Sequence, residues 1–96
     1  MIVSFKDNAT ADLYHGRETN RVRRFPPDVK RIALRKLDIL NAAHTLEDLR
    51  EPPGNRLKAL KGDLLGYHSI RVNEQWRIVF RYEGNNASEV TLTDYH

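Results

Sequence analysis

The sequence predicts an α+β domain in which a short N-terminal strand and two helices pack on one face of an antiparallel sheet. Three observations predict it. Apolar residues recur at spacings of three and four between Val29 and Ala43, the period of a helix with one buried face. After Pro52-Pro53-Gly54 the period falls to near two, as in half-buried strands. Turn-forming runs, Gly62-Asp63, Asn73-Glu74-Gln75 and Gly84-Asn85-Asn86, then separate the alternating segments.

In chain order, Ile2, Val3 and Phe5 make a brief first strand, and a first helix follows from about Asn8 to His15, where Gly16 breaks it. The run from Arg17 to Arg24 is polar and basic and reads as a loop or frayed helical turn. Its four arginines can contact RNA, or the run is a solvated connector. Pro27 suits the first helical position because its missing N–H has no intrahelical partner there. Asp28 in the first turn opposes the helix dipole. Val29, Ile32, Ala33, Leu37, Leu40 and Ala43 form the stripe, and Lys36, which lies within it, is expected to snorkel outward. Thr45 and Asp48 fit a capped turn over Leu46 to Arg50.

Leu57 to Leu60 reads as a strand, and Gly66 to Val72 as the next, with His68, Ile70 and Val72 on one face and Tyr67, Ser69 and Arg71 on the other. Trp76, Ile78, Phe80 and Tyr82 alternate with Arg77, Val79 and Arg81. Val90 and Leu92 alternate with Thr91 and Thr93 in the last strand. With helices on one face, the other is free to be polar, and here it carries arginine.

Ninety-six residues fit a single domain spanning 1–96. Apolar residues at 40% are enough for one modest core, and periodicity argues against disorder. The chain has no cysteine, which excludes disulfides and thiolate metal sites and fits a reducing compartment. The apolar start is too short for a signal peptide, and no run approaches the ~20 apolar residues of a membrane helix. A cytoplasmic protein with no membrane association is expected. The net charge of +3 is a mild bias toward anionic partners.

The groups suited to phosphodiester chemistry collect in the C-terminal half. Lys58 and Lys61 flank the first hairpin, Arg71 and Arg77 project from the central strands, and Asp94, Tyr95 and His96 close the last one. Arginine offers a planar fork to phosphate oxygens and lysine a point charge. Histidine trades a proton near neutral pH, and tyrosine stacks on an unpaired base. Each has a structural explanation too: strand arginines are ordinary surface charge, and Asp94 can pair with one at the sheet edge. His15, His44, His68 and His96 show no metal-binding spacing, and no phosphate-binding glycine loop is present. Neither metal nor cofactor is expected. Composition and pattern alone stop at a basic α+β domain able to bind RNA.

The runs Leu60-Lys61-Gly62-Asp63, Gly66-Tyr67-His68-Ser69-Ile70, Trp76-Arg77-Ile78-Val79-Phe80 and Asp94-Tyr95-His96, in this order, resemble the HigB toxins of the RelE/ParE toxin–antitoxin superfamily. The resemblance covers nearly the whole chain, and only Arg17 to Pro27 looks variable. It implies a RelE-like fold and a ribosome-dependent mRNA endonuclease, or mRNA interferase, that cuts codons in the 30S A site. The implied chemistry is metal-independent attack of a ribose 2′-OH on the adjacent phosphate. The implied partner is a HigA-like antitoxin with a helix-turn-helix domain, through which operator DNA is bound.

By position in the motifs, His96 matches a terminal general acid/base and Asp94 the carboxylate beside it. Arg77 and Lys61 match cations that stabilise the transition state, and Tyr95 matches a base-stacking tyrosine. Lys58 and Arg71 are expected to contact RNA. Lys58 stands where some relatives carry histidine, so there it supplies charge alone. Two alternatives stand beside this reading. One is a ParE-like gyrase poison, since fold does not determine function. The other is an inactive toxin that acts with its antitoxin in operator binding.

Overall fold

A computed structural model of the chain describes residues 1–94. Three helices precede the sheet: α1 (Asn8–Tyr14), α2 (Asn20–Arg23) and α3 (Pro27–Ala42). Four antiparallel strands follow, β1 (Lys58–Ala59), β2 (Tyr67–Arg71), β3 (Trp76–Glu83) and β4 (Asn86–Asp94), hydrogen-bonded in the order β1-β2-β3-β4. Short 3₁₀ turns at Leu46–Arg50, Pro53–Asn55 and Gly62–Leu64 join α3 to β1 and β1 to β2. The meander is as expected, but two elements differ in extent. The first strand reduces to two parallel bridges, Ile2 to Ala87 and Phe5 to Val90, and the expected Leu57–Leu60 strand pairs over two residues only.

The Arg17–Arg24 segment contains a helical turn. Thr19 caps α2 by accepting from the Val22 N–H, and Val22 is buried at its centre. One buried valine is too little periodicity to mark a helix in sequence, so the charge of its neighbours dominates the pattern. Asp12, on α1 and buried, holds this turn in place. It accepts from Thr19 Oγ1 at 3.1 Å and from the guanidinium groups of Arg17 and Arg21, each at 3.3 Å.

The core lies between the helices and one face of the sheet. Leu13, Val22, Phe25, Val29, Ala33, Leu37 and Leu40 pack on Ile70, Ile78, Phe80, Val90 and Leu92. The fully buried Thr10 ties α1 to the outer edge of β4, accepting from Leu92 N–H at 2.9 Å and donating to Asp7 at 2.8 Å. Glycine is needed at the β3–β4 hairpin, where Gly84 has φ +61°.

The expectation that Lys36 snorkels outward is corrected. Lys36 is only 7% exposed, and its ammonium donates to Oδ1 of Asn55, which is fully buried. The Asn55 amide in turn donates to the Leu49 and Glu51 carbonyls, each at 3.2 Å. A lysine within the apolar stripe can stay inside because a neutral acceptor is held where its ammonium ends. Burial pushes the Lys36 pKa below the ordinary lysine range, and the charges of Arg35 and Arg71 add to the effect.

Removing Asn55 leaves this ammonium without its partner, so Asn55→Ala should destabilise the protein by about 2–3 kcal/mol in urea unfolding. A loss below about 0.5 kcal/mol, the ordinary surface range, would contradict the arrangement. A pH dependence follows from Asp12. Burial raises its pKa, but the bonds from Thr19, Arg17 and Arg21 outweigh this and hold the carboxyl below the usual range. A folded-state pKa below the unfolded one stabilises at pH above the unfolded value, and the benefit fades as pH falls through the folded value. Asp12→Asn should therefore melt lower than wild type at pH 7, with the difference closing below about pH 4. A difference independent of pH would show that charge has no part in it.

Candidate active site on the open sheet face

Residues directly opposite in an antiparallel sheet share a face. The register therefore lays out the open face in rows. Arg71, Arg77 and Thr93 form one row, and Lys58, Ser69, Val79 and Thr91 the next. Tyr67 and Arg81 lie beyond them. The middle row is covered rather than bare: Ser69 is fully buried and Val79 is 4% exposed.

Part of that cover is Arg77 itself. Its Nε donates to Ser69 Oγ at 2.8 Å, a diagonal contact between β3 and β2, and one terminal nitrogen donates to the Arg56 carbonyl at 2.8 Å. A guanidinium fixed at two points cannot rotate freely, so its charge is delivered in one orientation. Arg71 stands directly across from it on β2. A polar hollow beside this pair is lined by Arg56, Arg71, Asn73, Glu74 and Arg77.

Lys58 and Lys61 are exposed and line a second shallow hollow with Ala59 and Leu60. Asp94 pairs with Trp76 across β3, one position from the Thr93–Arg77 pair. Successive strand residues point to opposite faces, so by register Asp94 leaves on the Trp76 side. At the strand end it borders hollows on both sides, and it accepts from Gln75 Nε2 at 2.9 Å. Tyr95 and His96 lie outside the described residues. Of the expected site residues, the structure thus brings together Arg71 with Arg77 and Lys58 with Lys61, while the two pairs and Asp94 line separate hollows.

Beyond the rows, the Tyr67 hydroxyl donates to Glu89 Oε1 at 2.7 Å, and the Arg81 guanidinium sits 5.2 Å from the Tyr67 ring centroid. The hydrogen bond to Glu89, helped by burial, raises the Tyr67 pKa. Glu89 reaches this position because β4 bulges there. Glu89 and Val90 both lie between the Thr91–Val79 and Ser88–Arg81 pairs, and Glu89 takes φ +51°. On the helix side, Phe25 and Trp76 meet edge to face at 5.6 Å, and Arg21 and Arg24 border the hollow beside them.

Arg56, Ser69 and the Phe25–Trp76 hollow are absent from the sequence expectation. Alternation did place Ser69 on the Arg71 face, and a short hydroxyl diagonal to an arginine is the signal that was available. Arg56 follows Pro53-Gly54-Asn55 and adopts φ +45°, a conformation that sequence does not announce for arginine. Among the described residues, no group of three or more His, Cys, Asp or Glu is placed to hold a metal ion. No described helix is long and apolar enough to cross a membrane.

Residues 3–96 match the family described as RelE-like toxin of type II toxin–antitoxin system HigB. Toxin HigB-1 of Vibrio cholerae is 43% identical over 82 residues, covering 85% of this chain and 84% of that protein. Endoribonuclease HigB of Proteus vulgaris is 36% identical over 98 residues and is covered completely, as is this chain. The fold resembles a YoeB–YefM complex from Staphylococcus aureus, with TM-score 0.62 at 17% identity, covering 100% of this chain and 98% of that one. It also resembles a YoeB/ParE toxin from Agrobacterium tumefaciens, with TM-score 0.56 at 19% identity, covering 99% and 98%. The chain belongs to the HigB family of RelE-like toxins of type II toxin–antitoxin systems.

Proposed function

We propose that this toxin is an endoribonuclease that cuts mRNA in the ribosomal 30S A site by metal-independent attack of a ribose 2′-OH on the adjacent phosphate. The observation that carries the reading is the Arg77 guanidinium, pinned by Ser69 and the Arg56 carbonyl directly beside Arg71. Such a fixed cation suits the charge that grows on phosphate oxygens in the transition state, where it costs no reorganisation. The name of the fully covered Proteus vulgaris relative, Endoribonuclease HigB, points to the same reaction class.

In this mechanism the 2′-oxygen loses its proton to a general base and bonds to phosphorus. The bond from phosphorus to the 5′-oxygen breaks, and that oxygen takes a proton from a general acid. The upstream fragment keeps a 2′,3′-cyclic phosphate and the downstream one a 5′-hydroxyl. We assign the proton transfers to His96 and Asp94, and charge stabilisation to Arg77 and Lys61. Tyr95 stacks on a base, and Lys58 and Arg71 contact phosphates. Fixing of the mRNA by the ribosome would bring the 2′-OH into line. Neutralisation falls to a HigA-like antitoxin with a helix-turn-helix domain, which also carries the complex to operator DNA. Ribosome and mRNA place the toxin in the cytoplasm.

The test is induced expression of wild type and variants, with mapping of mRNA 5′ ends. Arg77→Ala should cut about 10²–10³-fold more slowly, and His96→Ala about 10²–10⁴-fold. Ser69→Ala, which removes one of the two ties on Arg77, should cost about three- to tenfold. Intact mRNA in cells arrested by wild type would overturn the reading, and gyrase-linked DNA breaks in those cells would favour a ParE-like poison.

A further inference from the structure

The Arg56 side chain takes no part in the roles above, yet the place of this residue in the fold is specific. It closes the Pro53–Asn55 turn in a left-handed conformation, φ +45° and ψ +55°. Its neighbour Asn55 is fully buried on Lys36, so the start of Arg56 is anchored from beneath. Its carbonyl accepts from Arg77, while its exposed side chain lines the hollow shared with Arg71, Asn73, Glu74 and Arg77.

The hollow is built for an anion. Among the described residues, three guanidinium-bearing side chains line it against a single carboxylate, Glu74. Arg17, Arg21, Arg50 and Arg81 each have a carboxylate within ion-pair distance. Among the described residues, no such ion pair involves Arg56 or Arg71. Like charges gathered on one rim repel, and a bound anion with several acceptor oxygens relieves this. Among the described residues, the lining offers no aromatic ring on which a base would stack, so the chemistry of these residues suits backbone phosphate over base.

We propose that Arg56 is an RNA-binding residue that completes, with Arg71 and Arg77, a seat for a backbone phosphate of single-stranded RNA. The inference rests on the endoribonuclease reading and adds to it a phosphate contact from outside the sheet. Arg56 grips the strand, and its carbonyl positions Arg77. The side chain and the carbonyl are separable, because substitution removes only the former.

The experiment compares wild type, Arg56→Gln and Arg56→Lys in single-turnover cleavage of mRNA on programmed ribosomes, with thermal melting as the control for folding. Arg56→Gln should raise the half-saturating toxin concentration about tenfold, with the maximal rate kept within about twofold, since a phosphate contact positions without reacting. Arg56→Lys, which keeps the charge, should fall between the two. In parallel, fluorescence anisotropy follows binding of a 2′-O-methyl RNA oligonucleotide, which cannot be cut. Arg56→Gln should lower the slope of log affinity against log salt by about 0.7, the value for one phosphate contact on a single strand. Unchanged half-saturation and an unchanged salt slope in a folded Arg56→Gln protein would overturn the proposal. So would a loss that depends on nucleotide identity, or one confined to the maximal rate. Wild type that binds the oligonucleotide but leaves ribosomal mRNA intact would remove the endoribonuclease reading, and the salt slope would still decide the Arg56 contact.

Discussion

The hydrogen bond from the buried Lys36 ammonium to Asn55 is the constraint on which the rest of the open face depends. It links the middle of α3 to the short 3₁₀ turn at Pro53–Asn55. Asn55 also donates to the Leu49 and Glu51 carbonyls of the segment before that turn, so one buried amide fixes the path of the chain into β1. The next residue is Arg56, whose carbonyl holds Arg77. A helix facing the core thereby controls the orientation of a guanidinium on the far side of the sheet. Buried ionic groups contribute little net stability when compared with apolar replacements. Here the interaction has a second consequence, the geometry it transmits.

The two faces of the sheet divide the work. The helix side supplies the apolar burial that makes a small domain fold, with Ile70, Ile78 and Phe80 fully buried under α3. That burial frees the other face to carry charge. A cationic face on a rigid sheet holds its groups in order without substrate, and electrostatic stabilisation of a transition state requires such order. The bulge at Glu89 serves the same face differently, aiming a carboxylate at Tyr67 and Arg81. That places Arg81 in an ion pair, whereas among the described residues no ion pair involves Arg56 or Arg71 at the other end.

Much of this was legible in the sequence because periodicity reports burial. The α3 stripe, the Thr45–Asp48 capping box and the alternation of β2 and β3 depend on local spacing and are found where spacing puts them. For Lys36, spacing says which face the residue occupies and nothing about a partner 19 residues away. Helix α2 was hidden because its one buried residue, Val22, sits among arginines. At the candidate site, alternation put Arg71, Arg77 and Ser69 on one face. Their mutual contacts depend on strand register, which a single sequence leaves open. Arg56 was invisible because its placement comes from a turn conformation and a long-range bond.

The central claim is that RNA is cut by its own 2′-hydroxyl under a fixed cationic face, and the chemistry of the product ends tests it most directly. Toxin-cut mRNA should carry a 2′,3′-cyclic phosphate on the upstream fragment and a 5′-hydroxyl on the downstream one, seen by mass spectrometry of the isolated ends. A 3′-hydroxyl paired with a 5′-phosphate would mean that water, not the ribose, attacks, and would contradict the account.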